Sequence, residues 1–258
     1  MTRHEEKVRQ LKERMLEVAY KNQRGFLASS FSILDILVVL YYEVMQADGH
    51  GTCVDEFVLS KGHAALALYA ILEDKHVLKN GELEHWGKYQ SQLCLMAERK
   101  LPGVLFSTGS LGHGLPEAVG LAYAKKLRKE DGRVFVLVGD GELDEGTNWE
   151  AILAASRMKL DNLVCIVDNN KSAASALVEK PEEAQRFERF GLLTECVNGH
   201  DEHALRKALQ KKADRVMLVI ADTIKGNGCA AMEANPALWH SKAPNEQEYI
   251  SMLEEVRR

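Results

Sequence analysis

The sequence predicts an α/β fold: a doubly wound, mainly parallel sheet with helices on both faces, formed by residues 1–258 as a single domain. Short apolar runs rich in Val, Ile and Leu, typical of buried parallel strands, alternate with longer segments of helical periodicity. Such alternation favours parallel strands joined by right-handed helical crossovers. Because no repeat, low-complexity tract or linker interrupts the pattern, we expect no division into further domains.

The amino-terminal half is predicted to be mostly helical. Apolar residues recur on one face of residues 3–21, which indicates an amphipathic helix. A second helix is expected at about 32–45, with Ser32 as its amino-terminal cap. A short strand at 56–59 then leads into a helix rich in Ala and Leu, and an irregular region follows at about 79–115.

The carboxy-terminal half shows the strand and helix alternation most clearly. Pro116 is predicted to begin a helix that runs to about Lys129, because a first-turn residue needs no N–H donor. The remaining predicted elements are strands at 133–138, 163–167 and 216–220, and helices at 145–158, 202–212 and 246–257.

Composition excludes several classes of protein. Charged residues make up 28% and the net charge is −5, with both signs interspersed, so no footprint for nucleic acid or an anionic membrane is present. A phosphorylated ligand, if the chain binds one, is therefore expected to be held by metal and backbone amides more than by a basic patch. The five cysteines have no Cys-x-x-Cys spacing, which argues against a zinc site or disulfide framework. Without an apolar leader or a long apolar run, a cytoplasmic location is expected.

Polar side chains follow two of the predicted strands. Gly139, Asp140, Gly141 and Glu142 come directly after one strand, and Asn170 follows the next strand along the chain. Open α/β sheets bind ligands at the carboxyl ends of their strands. Carboxylate and amide oxygens suit an octahedral Mg²⁺ that also binds phosphates, and glycines allow close approach of a diphosphate. The pattern therefore indicates a metal and diphosphate site, although a lone Gly-Asp-Gly is more often only a strand-to-helix turn.

This spacing resembles the signature of thiamine diphosphate enzymes, and its surroundings resemble the transketolases. The resemblance covers almost the whole chain, but only the amino-terminal, diphosphate-binding part of that family. The segments that carry it, besides Gly139–Glu142 and Asp168–Asn170, are 57–63 (FVLSKGH), 107–114 (STGSLGHG), 223–228 (TIKGNG) and 235–240 (NPALWH). A plain dinucleotide-binding dehydrogenase is disfavoured, because no Gly-x-Gly-x-x-Gly follows the first strand.

The resemblance implies roles for individual residues. Thiamine diphosphate is the implied cofactor, with Mg²⁺, or Ca²⁺ or Mn²⁺ in its place, bound by Asp140, Asn170 and a backbone carbonyl near Ser172. The residues implied to bind the cofactor are His63, Gly109, Leu111, Gly139, Asp140, Gly141, Glu142, Asn170 and His240. His63, His240 and Glu145 are the implied catalytic residues. Glu145 would contact a catalytic glutamate of a neighbouring protomer, but it is equally a first-turn glutamate favoured by the helix dipole.

The chain also lacks parts that the resemblance requires. The glutamate that activates the aminopyrimidine ring belongs to a pyrimidine-binding domain, which we expect on a separate carboxy-terminal transketolase-like subunit in an α2β2 assembly. Two donor-binding histidines of the family are replaced, by Phe26 and, in a looser alignment, by Leu95. With His113, these residues are the predicted substrate pocket.

An apolar donor pocket favours a 2-oxo acid such as pyruvate, whose methyl group could face Phe26 and Leu95, because a buried hydroxyl without a partner costs about 1–3 kcal/mol. The predicted activity is transfer of a two-carbon unit, as an acyl group in that case, to an unknown acceptor. Two alternatives remain open. One is a conventional split transketolase using ketose phosphate donors, in which His113 or the partner replaces the donor histidines. The other is a non-catalytic, regulatory transketolase-like subunit.

Overall fold

A five-stranded parallel sheet lies at the centre of the computed structural model, which describes residues 1–47, 54–172 and 183–258. The strands are β1 (Glu56–Leu59), β2 (Val134–Gly139), β3 (Leu163–Asn169), β4 (Leu193–Asn198) and β5 (Met217–Asp222). They lie in the order β1-β2-β3-β5-β4, and every neighbouring pair is parallel. The predicted parallel α/β fold is therefore confirmed.

Helices cover both faces of the sheet. Those of the first half are α1 (Arg3–Asn22), α2 (Leu27–Ser32), α3 (Leu34–Val39), a π-helix (Leu40–Val44) and α4 (Ala65–Asp74). Those of the second half are α5 (Gly114–Arg128), α6 (Gly146–Arg157), α7 (Glu183–Arg189), α8 (Glu202–Gln210), α9 (Ala230–Ala234) and α10 (Glu246–Arg257). Among the described residues, no helix combines the length and the apolar character that a membrane span needs.

Alternate strand residues pack into two separate apolar clusters. Phe135 and Leu137 of β2 join the cluster formed with α1 to α4, α8 and α10. Val136 and Val138 of the same strand face the opposite cluster, formed with α5 and α6. Since successive side chains of a strand point to opposite faces, a strand buried on both sides must be apolar throughout, as β2 is.

The prediction of one continuous helix at 32–45 is wrong, because the helical region begins earlier and is divided into three parts. The structure has two short α-helices and a π-helix over Leu27–Val44. Ser32 is the last residue of α2, and its hydroxyl donates to Asp168 instead of capping a helix. The reason is tertiary: a buried carboxylate 136 residues further along the chain recruits the hydroxyl.

Strand β4 was not predicted from the sequence, and neither were the short helices α7 and α9. Strand β4 lies at the edge of the sheet and is only partly buried, with the polar sequence Leu-Thr-Glu-Cys-Val-Asn. It shows no continuous apolar run of the kind that indicates the central strands. An edge strand pairs with one neighbour only and needs less apolar surface, and this explains why β4 could not be predicted from an apolar run.

Candidate functional site

The carboxyl ends of β2 and β3 open into a cavity of about 610 Å³, here called the strand-end cavity. Gly139 pairs with Asp168 in the sheet, so the segments carrying Asp140 and Asn170 leave the sheet side by side. The predicted site residues in its wall are His63, Leu111, Gly139, Asp140, Gly141, Glu142, Asn170, Ser172 and His240. The structure therefore brings together both halves of the predicted metal and diphosphate motif.

The oxygen atoms of Asp140, Asn170 and Ser172 are the candidate metal ligands. Asn170 donates from its Nδ2 to Asp168 at 2.8 Å, which fixes the orientation of the amide. Its Oδ1 accepts from the backbone N–H of Ser172 at 3.1 Å and retains a second lone pair for a cation. A carboxylate, an amide oxygen and a backbone carbonyl are hard donors of the kind that Mg²⁺ binds, so the residues present fit this ion.

Asp168 forms the buried floor beneath these residues. Its carboxylate is fully buried and accepts hydrogen bonds from Lys61, Ser32, Thr223 and Asn170. Burial raises the pKa of Asp168, but the Lys61 ammonium and the hydroxyl donors lower it by more. Three segments distant in sequence, at Ser32, Lys61 and Thr223, thus meet the Asp168 carboxylate. The same carboxylate holds the Asn170 amide in place.

Glu142 joins two further segments to the end of β2 at the cavity wall. Its carboxylate accepts from the backbone N–H groups of Gly139 at 3.1 Å and Gly112 at 2.8 Å, and from the hydroxyl of Ser60. Burial raises the pKa of Glu142, while these hydrogen bonds oppose the shift. Since both of its oxygens are used within the protein, we assign Glu142 a positioning role at the cavity.

His63 and His240 lie side by side in the wall of the strand-end cavity. Their ring centroids are 5.5 Å apart, and the Phe26 ring lies 5.9 Å from His63 and 5.4 Å from His240. The backbone N–H of Phe26, at a positive φ of 67°, donates to the carbonyl of His240 at 3.1 Å. This contact fixes the Phe26 ring beside the two imidazoles.

Both imidazoles are uncharged near neutral pH. Burial, with the positive charges of Lys61 and Lys225, lowers the pKa of His63 to about 3. Burial and the same two lysines lower the pKa of His240. The Lys225 Nζ lies 3.1 Å from the His240 Nδ1, so the ammonium donates to that nitrogen and the ring hydrogen is assigned to Nε2.

Sequence reasoning missed two charged residues of the site, Lys61 and Lys225, as well as the uncharged Ser29, Pro236 and Ala237. Both lysines line the strand-end cavity, and the Lys225 Nζ also donates to the Ser172 hydroxyl at 3.0 Å. Two basic side chains are therefore present at this cavity, in addition to the metal ligands and backbone amides expected to hold a phosphorylated ligand. Both lysines occur in segments that carried the resemblance, directly after strand ends, and that position was the available signal.

Three other predicted residues lie outside the wall of the strand-end cavity and are exposed. Gly109 and His113 are on the loop before α5. Glu145 is the amino-terminal cap residue of α6, so it is placed one residue before the first turn. The structure leaves these side chains and this loop accessible at the surface of the chain.

The two predicted apolar pocket residues, Phe26 and Leu95, differ in their distance from the cavity histidines. Neither lines the strand-end cavity itself, but the Phe26 ring contacts two histidines of its wall. Leu95 packs beside Gly87 against the first apolar cluster. The structure therefore supports Phe26, but not Leu95, as a neighbour of the two histidines.

The lowered pKa of His63 predicts a specific acid sensitivity. The unfolded chain takes up a proton near pH 6.5 and the folded chain only near pH 3, so stability is lost as the pH falls through this window. Between pH 6.5 and 4.5 the free energy of unfolding should fall by about 2–3 kcal/mol more in the wild type than in His63→Gln. Denaturant titrations at several pH values measure this difference. Replacing the exposed His85 with Gln should leave the wild-type slope intact, and equal slopes for wild type and His63→Gln would contradict the prediction.

Comparison with known proteins identifies a family whose cofactor is the one expected at this site. Residues 4–255 match the family described as transketolase, thiamine diphosphate binding domain. An apulose-4-phosphate transketolase subunit of Phocaeicola vulgatus is 34% identical over 255 residues, covering 95% of this chain and 90% of that protein. Its counterpart from Actinobacillus succinogenes is 36% identical over 244 residues, with coverages of 90% and 88%.

Complete transketolases match over a smaller share of their own length. Human transketolase is 36% identical over 240 residues, which is 90% of this chain but 38% of that enzyme. The crystal structure of transketolase from Campylobacter jejuni superimposes with a TM-score of 0.87 and 29% identity, over 98% of this chain and 42% of that one. Transketolase from Leishmania mexicana, at 24% identity and a TM-score of 0.87, supports the fold alone. The chain belongs to the transketolase family and comprises its thiamine diphosphate binding domain.

Proposed function

We propose that this chain is the diphosphate-binding subunit of a split transketolase-like enzyme, which transfers two-carbon units with thiamine diphosphate. The observation that carries the proposal is the strand-end cavity, where Asp140, Asn170 and Ser172 lie with two lysines and two neutral histidines. The similar proteins from P. vulgatus and A. succinogenes, which are named as transketolase subunits and whose length this chain nearly matches, support the same conclusion.

Each group in the wall of the strand-end cavity has a distinct task in this proposal. The oxygens of Asp140, Asn170 and Ser172 would hold Mg²⁺, and Lys225 would add positive charge opposite the diphosphate. Bound thiamine diphosphate supplies a carbon centre that stabilises negative charge on the donor. His63 and His240, being uncharged, can donate and accept hydrogen bonds without introducing charge near the reacting atoms.

A second polypeptide completes the enzyme in this proposal. The similar proteins from P. vulgatus and A. succinogenes are named as transketolase subunits, which supports a separate source for the pyrimidine-binding domain and its activating glutamate. We propose a carboxy-terminal transketolase-like partner, with two copies of each chain in the assembly. The exposed Glu145 at the start of α6 is the proposed contact to that glutamate.

The requirement for a partner can be tested directly. The purified chain, supplied with Mg²⁺ and thiamine diphosphate, should consume donor at least about 1,000-fold more slowly than an equimolar mixture with the partner subunit, because general acid or base groups contribute 10²–10⁴-fold. A coupled assay for donor consumption measures both rates. Full activity of the chain alone would contradict the split-enzyme proposal.

Two classes of donor are candidates. The similar proteins from P. vulgatus and A. succinogenes are apulose-4-phosphate transketolase subunits, which favours a ketose phosphate donor. A specific observation favours the second class, the 2-oxo acids: the Phe26 ring lies against both cavity histidines, where it presents a hydrocarbon surface and no hydrogen-bonding group. Leu95, the other basis for a 2-oxo acid, is not in the cavity wall.

Phe26→His distinguishes these donors. Histidine tolerates the left-handed backbone of this position and offers a hydrogen bond to a donor hydroxyl. If the pocket selects pyruvate, the ratio of kcat/KM for xylulose 5-phosphate to that for pyruvate should rise about 10- to 100-fold in the variant, as expected when a polar partner is gained. Tyr89→His, at an exposed position, should leave the ratio unaltered. A wild-type enzyme that already prefers the sugar phosphate would eliminate the 2-oxo acid.

A further inference from the structure

We propose that His4, Glu43 and Glu202 form a second metal site, structural in nature, that binds Zn²⁺. None of the three residues lies in the wall of the strand-end cavity. They come from the start of α1, the π-helix and the start of α8. One possible ligand atom from each lies within 4.8 Å of the other two, close enough for a single ion to bind all three after a small contraction.

His4 carries the main evidence for a ligand. Its side chain is only 5% exposed, and its Nε2 is 3.2 Å from the buried carboxylate of Asp35. Its Nδ1 has no hydrogen-bond partner in the part of the chain that the structure describes, and lies 3.9 Å from the Glu43 Oε1. In protein metal sites a carboxylate commonly accepts the other ring N–H of a ligating histidine, which sets the tautomer. Asp35 can accept this hydrogen here, and in the neutral ring the Nδ1 lone pair then faces the cluster.

The two carboxylates are already held together by a cation. The Arg206 Nη1 lies 2.6 Å from the Glu43 Oε2 and 3.2 Å from the Glu202 Oε1. This arrangement leaves the Glu43 Oε1 facing His4. Glu43 belongs to the π-helix, a distortion that occurs often at functional sites because it displaces side chains from regular helical positions.

The donor set selects the kind of ion. An imidazole nitrogen and carboxylate oxygens are both ligand types that Zn²⁺ binds, and three protein ligands leave a fourth tetrahedral position for a water molecule. Mg²⁺ prefers an all-oxygen environment and several waters, so it should bind weakly to this set. Since residues 4, 43 and 202 are far apart in sequence, a bound ion would connect three helices and stabilise the folded chain.

Zinc titration of the full-length chain tests the proposal. Excess Mg²⁺ and thiamine diphosphate keep the strand-end cavity occupied while ZnCl₂ binding is followed by calorimetry and by thermal unfolding. We expect one equivalent of zinc and a rise in Tm of several degrees when zinc is in large excess over its Kd. His4→Gln should weaken zinc binding at least about 100-fold, more than the loss of an outer-shell partner does. His85→Gln, at an exposed position, and Asp140→Ala should both bind zinc as the wild type does.

Arg206→Gln provides a second, independent test. It removes the cation that now neutralises Glu43 and Glu202, so zinc should bind more tightly and should restore any stability that the substitution costs. If the cluster is only an ionic network, this variant would lose stability without recovery by zinc. That outcome, or zinc binding that is equal in wild type and His4→Gln, would overturn the proposal.

Discussion

Asp140→Ala is expected to lower the Mg²⁺-dependent affinity for thiamine diphosphate at least about 100-fold, since even outer-shell changes at metal sites cost 10–100-fold. The only carboxylate in the proposed ligand set would be lost, leaving an amide and a backbone carbonyl, which bind Mg²⁺ weakly without an anionic partner. Calorimetry of the chain together with its partner subunit, with Mg²⁺ and then with EDTA, measures the effect.

Asp144→Ala is the matched control for this substitution. Asp144 is four residues further on, in the turn after β2, and is exposed, so the same change of charge should leave cofactor affinity within about twofold, as for most surface substitutions. Unchanged binding in Asp140→Ala would contradict the metal assignment. A wild-type complex that binds no thiamine diphosphate at all would instead favour the non-catalytic, regulatory role.

Lys61→Met is expected to lower the free energy of unfolding by about 3–5 kcal/mol, the range observed when one partner of a buried ion pair is removed. Lys61 and Asp168 are 2% and 0% exposed, and the substitution leaves the Asp168 carboxylate without its cation. The hydrogen bonds from Ser32, Thr223 and Asn170 compensate only part of the charge. Guanidinium denaturation curves give the difference in free energy.

Two further variants separate the loss of the ion pair from a loss of packing. Lys61→Met combined with Asp168→Asn has no buried charge and should be more stable than Lys61→Met alone. Lys126→Met breaks an exposed ion pair with Asp161 and should cost less than about 1 kcal/mol. If Lys61→Met and Lys126→Met lowered the free energy of unfolding equally, breaking the buried pair would cost no more than breaking an exposed one.

Much of the site follows from local sequence because its residues stand at strand ends. The apolar runs that become β2 and β3 are long and continuous, so their carboxyl ends and the positions of Asp140 and Asn170 could be predicted. His63 and His240 could be assigned because the segments around them resemble a known family. All four side chains lie in the wall of the strand-end cavity.

Residues that depend on distant partners could not be predicted. Ser32 shows the features of a helix cap in sequence, yet its hydroxyl binds Asp168, and nothing near residue 32 signals this. Lys61 and Lys225 have the charge of ordinary surface lysines, but both are buried at the cavity. Leu95 has the apolar character of a pocket residue, but the structure uses it in packing beside Gly87.

The amino-acid sequence alone determined the parallel α/β class, the family and the chemical types available at the strand ends, because periodicity and strand-end motifs are local properties. The tertiary structure alone decided that two lysines surround the histidines, that His63 is uncharged to about pH 3, and that Phe26 rather than Leu95 faces them. Burial and charge act through space, and residues far apart in the chain set both quantities.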